Sequence, residues 1–440
     1  MKASVRLALL LLLFVALPLA AQDTTLKGVH ITLTYDPGVR PGVVVLPVPG
    51  ANGDSIRAIL QRDLTYGDRV NVIVIPDSMA AAIRGGLDST GTKKGMNYGV
   101  FRTLGALAVV QAVNTARGLH VALHDVTHTQ VIDVSEFALP QDASSRAWRM
   151  AVHRASDQVE RWITGVQGIA ATRIAFVRAH AVHIVDSDGA DEMTIPMVGE
   201  GLSPTWSPDG HAIAYATFGE NSRLVVYNLQ TGQSRAFGER RNTNVSTPTF
   251  SPDGSSIVYT VAGENGSDLY SVPVAGGLPV PLTVGGGTDN STPAFSPDGH
   301  RIAFTSGRAG PPEIYIMDAD GTNVNMFTAY AFSTKNYRSN PDWSPDGLAI
   351  AYQAYVPDGS GVFQIFTMSL RDQIPRQLTS DAQNEDPSWA PDGRHLVFSS
   401  TRGGSKQLWV IDTQSGQVRQ LTHGAPMSRL GAWSPRLAPQ

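Results

Sequence analysis

The sequence contains no cysteine. That absence excludes disulfides, Cys-ligated zinc, iron–sulfur clusters, thiol catalysis and lipidation through Cys. Charge is scarce as well: Asp, Glu, Lys and Arg make up 16% of the 440 residues. The 34 Lys plus Arg against 38 Asp plus Glu leave a net charge of −4. So small a balance lacks the basic footprint of a nucleic-acid surface, and no nucleic-acid partner is expected. Past the leader described next, no apolar run is long enough to span a bilayer.

What is present begins with that leader. Met1, Lys2 and Arg6 precede an apolar run, Leu7-Ala-Leu-Leu-Leu-Leu-Leu-Phe-Val-Ala-Leu17, that ends in Pro18-Leu19-Ala20-Ala21. A basic start, a short apolar stretch and small residues at its end predict a secretory signal peptide over 1–21, cleaved near Ala21. The mature chain is then exported. With 42% apolar residues it can bury a large core. Its 43 Gly and 28 Pro favour many tight turns over long helices.

A repeat runs through the second half. Trp206-Ser-Pro-Asp-Gly210 is followed by Phe250-Ser-Pro-Asp-Gly254, Phe295-Ser-Pro-Asp-Gly299, Trp343-Ser-Pro-Asp-Gly347 and Trp389-Ala-Pro-Asp-Gly393, with a truncated copy at Trp433-Ser434-Pro435. The aromatics stand 44, 45, 48, 46 and 44 residues apart. A period of about 45 suits a four-stranded propeller blade. Pro presets φ for a turn, Asp bonds its own backbone and Gly supplies positive φ. Alternating apolar runs follow each turn, such as Ile302-Ala-Phe-Thr and Ile314-Tyr-Ile-Met, and third runs end on Thr, as in Gln377-Leu-Thr379 and Gln420-Leu-Thr422. These are strand–turn–strand units. Ile174-Ala-Phe-Val177 and Val182-His-Ile-Val185 lack a leading strand, and Leu430-Gly-Ala-Trp-Ser-Pro435 is a leading strand with nothing after it. Joined, the two ends complete a sixth blade and leave no open edge.

The expectation is therefore a small α/β N-terminal domain over 22–170, followed over 171–440 by an all-β six-bladed β-propeller closed by its C-terminal strand. In the first domain, Gly42-Val-Val-Val-Leu-Pro47 and Val70-Asn-Val-Ile-Val-Ile75 read as strands. Asp54 is placed to cap a helix through Ile56, Ile59, Leu60 and Leu64. Residues 101–114 read as a helix plus strand, 119–124 with 131–134 as a hairpin, and 144–165 as an amphipathic helix stopped by Gly165. Asp88-Ser-Thr-Gly-Thr-Lys-Lys-Gly95 is a polar loop.

This combination resembles the TolB family, the periplasmic component of the Tol–Pal system. The resemblance covers essentially the whole mature chain. It is carried by the repeats, by the junction Ser156-Asp157-Gln-Val159, Ile163-Thr-Gly165 and Thr172-Arg-Ile-Ala-Phe-Val177, and by the closing Ala432-Trp-Ser-Pro435. Asp63-Leu-Thr-Tyr-Gly67 follows the family pattern only loosely. The resemblance implies a non-enzymatic periplasmic protein, monomeric, that binds a Pal-like peptidoglycan-associated lipoprotein at the propeller mouth. Through it the protein is peripheral to the outer membrane. A TolA-like protein would engage residues 22–33, and the system would maintain outer-membrane integrity during cell division. The alternative is an unrelated exported propeller that binds sugar or peptide, with or without hydrolase or lyase activity.

Chemistry-bearing patterns are few. No Gly-x-Ser-x-Gly elbow is present, and the N-terminal part lacks phosphate-binding glycine loops. No catalytic residue, cofactor or metal site is expected. His120, His124 and His128 recur every four residues, but on a strand such side chains lie about 13 Å apart, so a solvated face is the reading. Asp186-Ser-Asp-Gly189-Ala-Asp-Glu192 and Asp318-Ala-Asp-Gly321 read as hairpin turns rather than calcium loops. Arg240-Arg241 and Lys93-Lys94 read as loop tips. The segments ahead of the leading strands converge on one mouth of the channel. They offer Ser203; Asn244, Ser246 and Thr247; Asp289, Ser291 and Thr292; Ser339 and Asn340; Glu385 and Asp386; and Ser428 and Arg429 as a partner-binding rim. The resemblance places Pal contacts on Asn244, Thr247, Ser291 and Thr292 in particular.

Overall fold

The structure, a computed structural model, describes residues 39–79, 95–197, 199–219, 222–237, 243–285, 288–328, 337–357 and 361–438. The leader over 1–21, the segment 22–33, Lys93-Lys94 and Arg240-Arg241 lie outside them.

The chain first builds a five-stranded sheet in the order Asn71–Val72, Gly42–Val45, Ala106–Thr115, Gly118–Asp125, Gln130–Phe137. Gly42–Val45 is buried along its whole length and pairs in parallel with both neighbours, as a continuous apolar strand should. The last three strands form an antiparallel meander. Helices Gly53–Tyr66 and Arg146–Thr164 cover one face, with Ile56, Leu60, Leu64, Val152 and Val159 packed on Val43, Val45 and Leu123. The longer helix starts on Ser145, whose hydroxyl accepts the Trp148 N–H, and stops on left-handed Gly165.

Three expectations are corrected here. The first helix is capped at Asn52, in the left-handed region, and Asp54 sits inside its first turn. Gly53 is required at that turn because a Cβ would lie 1.8 Å from the Val48 carbonyl oxygen. Only Asn71–Val72 of the 70–75 run pairs as strand. His124 is buried, between the Tyr98 hydroxyl at 2.9 Å and Gln111 Oε1 at 3.0 Å, so it is not on a solvated face.

Six four-stranded antiparallel sheets follow. Blades 1 to 5 begin with the leading strands Glu200–Trp206, Asn244–Phe250, Ser291–Phe295, Arg338–Trp343 and Asn384–Trp389. In blade 6 the last strand, Ser428–Trp433, pairs antiparallel with Arg173–Arg178, followed by Ala181–Asp186 and Met193–Thr194. Each leading strand packs against those of the two neighbouring blades, and the last packs against the first. The ring is closed. Trp433 fastens it: its indole N–H donates to Thr172 Oγ1 at 2.8 Å, and the Arg173 N–H donates to Ser434 Oγ at 2.9 Å.

The Ser-Pro-Asp-Gly turns repeat one hydrogen-bond pattern. In the first, Ser207 Oγ donates to Asp209 Oδ1 and accepts the Ala212 N–H, while the Gly210 N–H donates to the Ser207 carbonyl. Gly210, Gly254, Gly299 and Gly347 hold φ between 72° and 73°, a region that favours glycine.

Closure predicts a specific fragility. Trp433→Ala should cost about 3–5 kcal/mol, the range for deleting a buried aromatic, as read from urea unfolding. Deleting residues 428–440 bares the edge of Arg173–Arg178 and should lower the melting temperature and cause self-association on size exclusion. A truncated chain as stable and monodisperse as the parent contradicts ring closure by this strand.

Candidate functional sites at the two faces of the propeller

Leading strands run from the rim where they begin to the Pro-Asp-Gly turns at their far ends. The predicted partner residues lie at the first end. They lie mostly within the leading strands rather than in loops ahead of them; Asp289 alone precedes its strand. The strands start early because they pair with the second strand on both sides of a bulge, where the register shifts in all six blades.

At each bulge one non-glycine residue takes a positive φ: Ser203 (49°), Thr247 (45°), Thr292 (50°), Asn340 (52°), Asp386 (55°) and Leu430 (56°). In five of them the next residue is Pro, and in the sixth it is Gly431. Such a conformation costs on the order of 1–3 kcal/mol per residue and needs support. Support comes from the preceding blade. The Thr292 and Asn340 N–H groups donate to Thr260 and Thr305 Oγ1, both at 3.3 Å; Asp386 N–H donates to Gln353 Oε1 at 2.9 Å, and Leu430 N–H to Ser399 Oγ at 3.1 Å.

The structure thus brings the predicted residues onto one ring, with unequal access. Asn244 and Asp289 are exposed, and Ser203, Ser246, Thr247, Ser291, Thr292, Asn340, Glu385, Asp386 and Arg429 are half-buried. Ser339 and Ser428 are buried; Ser339 accepts from Gln353 Nε2 and Ser428 from Arg178 Nε. These two brace the rim. Thr247 and Thr292 pair their hydroxyls with Thr260 and Thr305 at 2.7 and 2.6 Å. Asn340 Nδ2 donates to Asp386 Oδ1 at 2.7 Å. Burial raises the Asp386 carboxyl above its usual range, with Glu385 adding to the effect. Further along the same strands, burial pushes Asp342 up to about 6, although the Trp389 N–H donates to it.

The opposite face carries a junction that sequence reasoning missed. There the first domain docks on blades 5 and 6 through two knots of charge. In one, His153 is fully buried, with Nδ1 2.8 Å from Asp63 Oδ2 and Nε2 3.7 Å from Asp186. Arg149 binds Asp186 and Asp188 at 3.1 and 2.8 Å, and Arg62 also binds Asp188. Burial opposes the His153 charge, but Asp63 and Asp186 outweigh it and raise the imidazole to about 10. In the other knot, Arg69 joins Glu160 to Asp392 (both 3.1 Å), Arg394 binds Asp412 and the Asp68 carbonyl, and His395 Nδ1 lies 2.8 Å from Asp392. Burial pushes Glu160 up to about 8 and Asp157 up to about 7. The Arg419 guanidinium stacks 4.1 Å from the Tyr66 ring centroid.

Asp63, His153 and Asp188, and likewise Asp68, His395 and Asp412, are close enough to share a cation. Guanidinium groups already fill that role: Arg62 and Arg149 on Asp188, Arg394 on Asp412. A sequence signal did exist. The docking turn is the one repeat with Ala390 in place of Ser, which leaves Asp392 to bind His395 and Arg69.

Six four-stranded sheets closed into a ring, with an α/β unit docked on one face and a rim of strained residues on the other, define a six-bladed β-propeller. Residues 160–437 match the family model described as the TolB beta propeller domain. The chain belongs to the TolB β-propeller family. It is 28% identical over 243 residues to the Tol-Pal system protein TolB of Acinetobacter baylyi, covering 53% of this chain and 54% of that one. With the protein of the same name from Chromobacterium violaceum it is 34% identical over 160 residues, covering 34% and 36%. The chain thus spans about half the length or less of these curated relatives. A crystal structure of TolB from Acinetobacter baumannii superposes with a TM-score of 0.76 at 26% identity, covering 90% of this chain and 97% of that one.

The junction predicts a pH dependence. A histidine raised to about 10 when folded, from about 6.5 unfolded, contributes stability that is full below about 6.5 and is lost as pH rises toward 10. Glu160 and Asp157, raised to about 8 and about 7, act in the same direction. The melting temperature should fall between pH 6.5 and 9.5, and His153→Gln should shrink that fall. Equal pH slopes for the two proteins would remove His153 from the account.

Proposed function

We propose that this chain is a periplasmic protein-binding component of a Tol–Pal system, with no catalysis of its own. Its rim receives a Pal-like lipoprotein, and residues 22–33 engage a TolA-like protein, so that the outer membrane stays intact during cell division. The leader over 1–21 delivers it to the periplasm. The domain division at 22–170 and 171–440 separates the TolA-facing part from the Pal-facing part.

One observation carries the reading: six conformationally strained positions, five of them polar and the sixth Leu430, form a ring on the face away from the docked N-terminal unit, in a chain of the TolB family. A strained backbone held by hydrogen bonds from the neighbouring blade presents a preformed surface, which lowers the ordering cost of binding. The names of the relatives place them in a Tol–Pal system, and the absence of a nucleophile elbow or phosphate loop supports a binding role over a hydrolytic one.

Thr247→Arg together with Thr292→Arg should crowd this rim and weaken a Pal-like domain by at least about tenfold, equivalent to about 1.4 kcal/mol, with the fold retained by circular dichroism. Calorimetric titration measures it. Unchanged affinity in the double variant sinks the rim as the binding surface.

A further inference from the structure

Two turns on the rim face share one construction. Phe304-Thr-Ser-Gly-Arg308 in blade 3 and Phe398-Ser-Ser-Thr-Arg402 in blade 5 link the second strand to the third. Arg308 stacks 5.3 Å from the Phe304 centroid and 4.9 Å from Tyr315; Arg402 stacks 5.2 Å from Phe398 and 5.3 Å from Trp409. Arg308 Nε donates to Ser306 Oγ at 2.9 Å and Nη2 to Asn290 Oδ1 at 3.0 Å. Arg402 repeats both bonds, to Ser400 and Asn384, each at 3.1 Å. All four partners are buried. Each guanidinium is therefore held in one orientation by two rings and two buried acceptors.

The cages differ on their outer side. In blade 5, Asp381 closes the cage at 3.2 Å, leaving the Arg402 side chain 12% exposed. In blade 3 the matching connection reads Val284-Gly-Gly-Gly-Thr-Asp-Asn290, with glycine wherever Asp381 aligns. Arg308 is exposed and forms no ion pair among the described residues. Two acids stand near it. Asp268 Oδ1 accepts from Thr283 Oγ1 and from Asn290 Nδ2, and neither Asp268 nor Asp289 forms an ion pair with Arg308 among the described residues.

We infer that the Arg308 cage is a carboxylate receptor, and that it takes an aspartate or glutamate side chain of the protein partner on this face. The cage in blade 5 supplies the precedent, since the protein fills it with its own Asp381. An immobilised guanidinium loses little entropy on forming a paired carboxylate bond, and caged arginines are characteristic anchors at interfaces. The carboxylate preference stands on the cage geometry; its assignment to a partner rests on the proposed function.

The test has two arms. In the first, the full chain is labelled at arginine side chains and titrated with acetate by NMR, the Arg308 Nε–H signal being identified by its loss in Arg308→Lys. It should move saturably while Arg402 stays still, and Asp381→Ala should make Arg402 respond in the same way. If Arg308 responds no more than Arg402, or Arg402 stays silent in Asp381→Ala, the receptor is overturned. In the second arm, Arg308→Ala and Arg308→Lys should each weaken a Pal-like domain about tenfold, with the fold retained by circular dichroism. Unchanged affinity in both overturns the partner assignment. A wild-type chain that binds no Pal-like domain at all would instead refute the proposed function, with the acetate arm still deciding the cage.

Discussion

Pairing of Ser428–Trp433 with Arg173–Arg178 is the constraint on which the rest depends. Without it, five complete blades and one three-stranded remnant would leave an open edge and no fixed axis. With it, the six leading strands meet in a ring, and every blade has a neighbour on both sides. The strained residues of four leading strands, Thr292, Asn340, Asp386 and Leu430, then lean on the blade before them. Closure thus converts a local cost, repeated six times, into a preformed surface.

Closure also decides where the first domain sits. It brings the turn after Ala181–Asp186 beside blade 5, and the two together form the acidic and basic floor on which Arg62, Asp63, Asp68, Arg69, Arg149 and His153 dock. Buried ion pairs of this kind add little net stability over apolar packing, because desolvation offsets their attraction. They do fix orientation, since a shifted domain would strand unpaired charge. Among the described residues, the propeller consequently has one face covered by the first domain and one that no other element covers.

Much of this fold was legible in the sequence because turn chemistry is local. Ser, Pro, Asp and Gly impose their conformations within five residues, and the aromatic before them recurs with every blade. The rim was legible in part. Ser203, Thr247, Thr292, Asn340 and Asp386 all stand directly before a proline, yet a left-handed residue before proline is contrary to local preference and is set by ring geometry. Ser339 and Ser428 looked like rim donors and are buried, because a strand residue's face depends on register. The junction was illegible: its charges come from segments near 62–69, 146–160, 186–191 and 392–419, which only the closed ring brings together. The substitution of Ala390 within an otherwise regular repeat was its one mark.

The account's central claim is that the open rim, and not the turn face, meets the protein partner. Amide hydrogen exchange of the full chain, alone and with a saturating Pal-like domain, tests it directly. The account predicts added protection at the starts of the leading strands, around 203, 247, 292, 340 and 386, and none at the turns near 188, 392 and 412. Protection confined to those turns, with the rim unchanged, would contradict it.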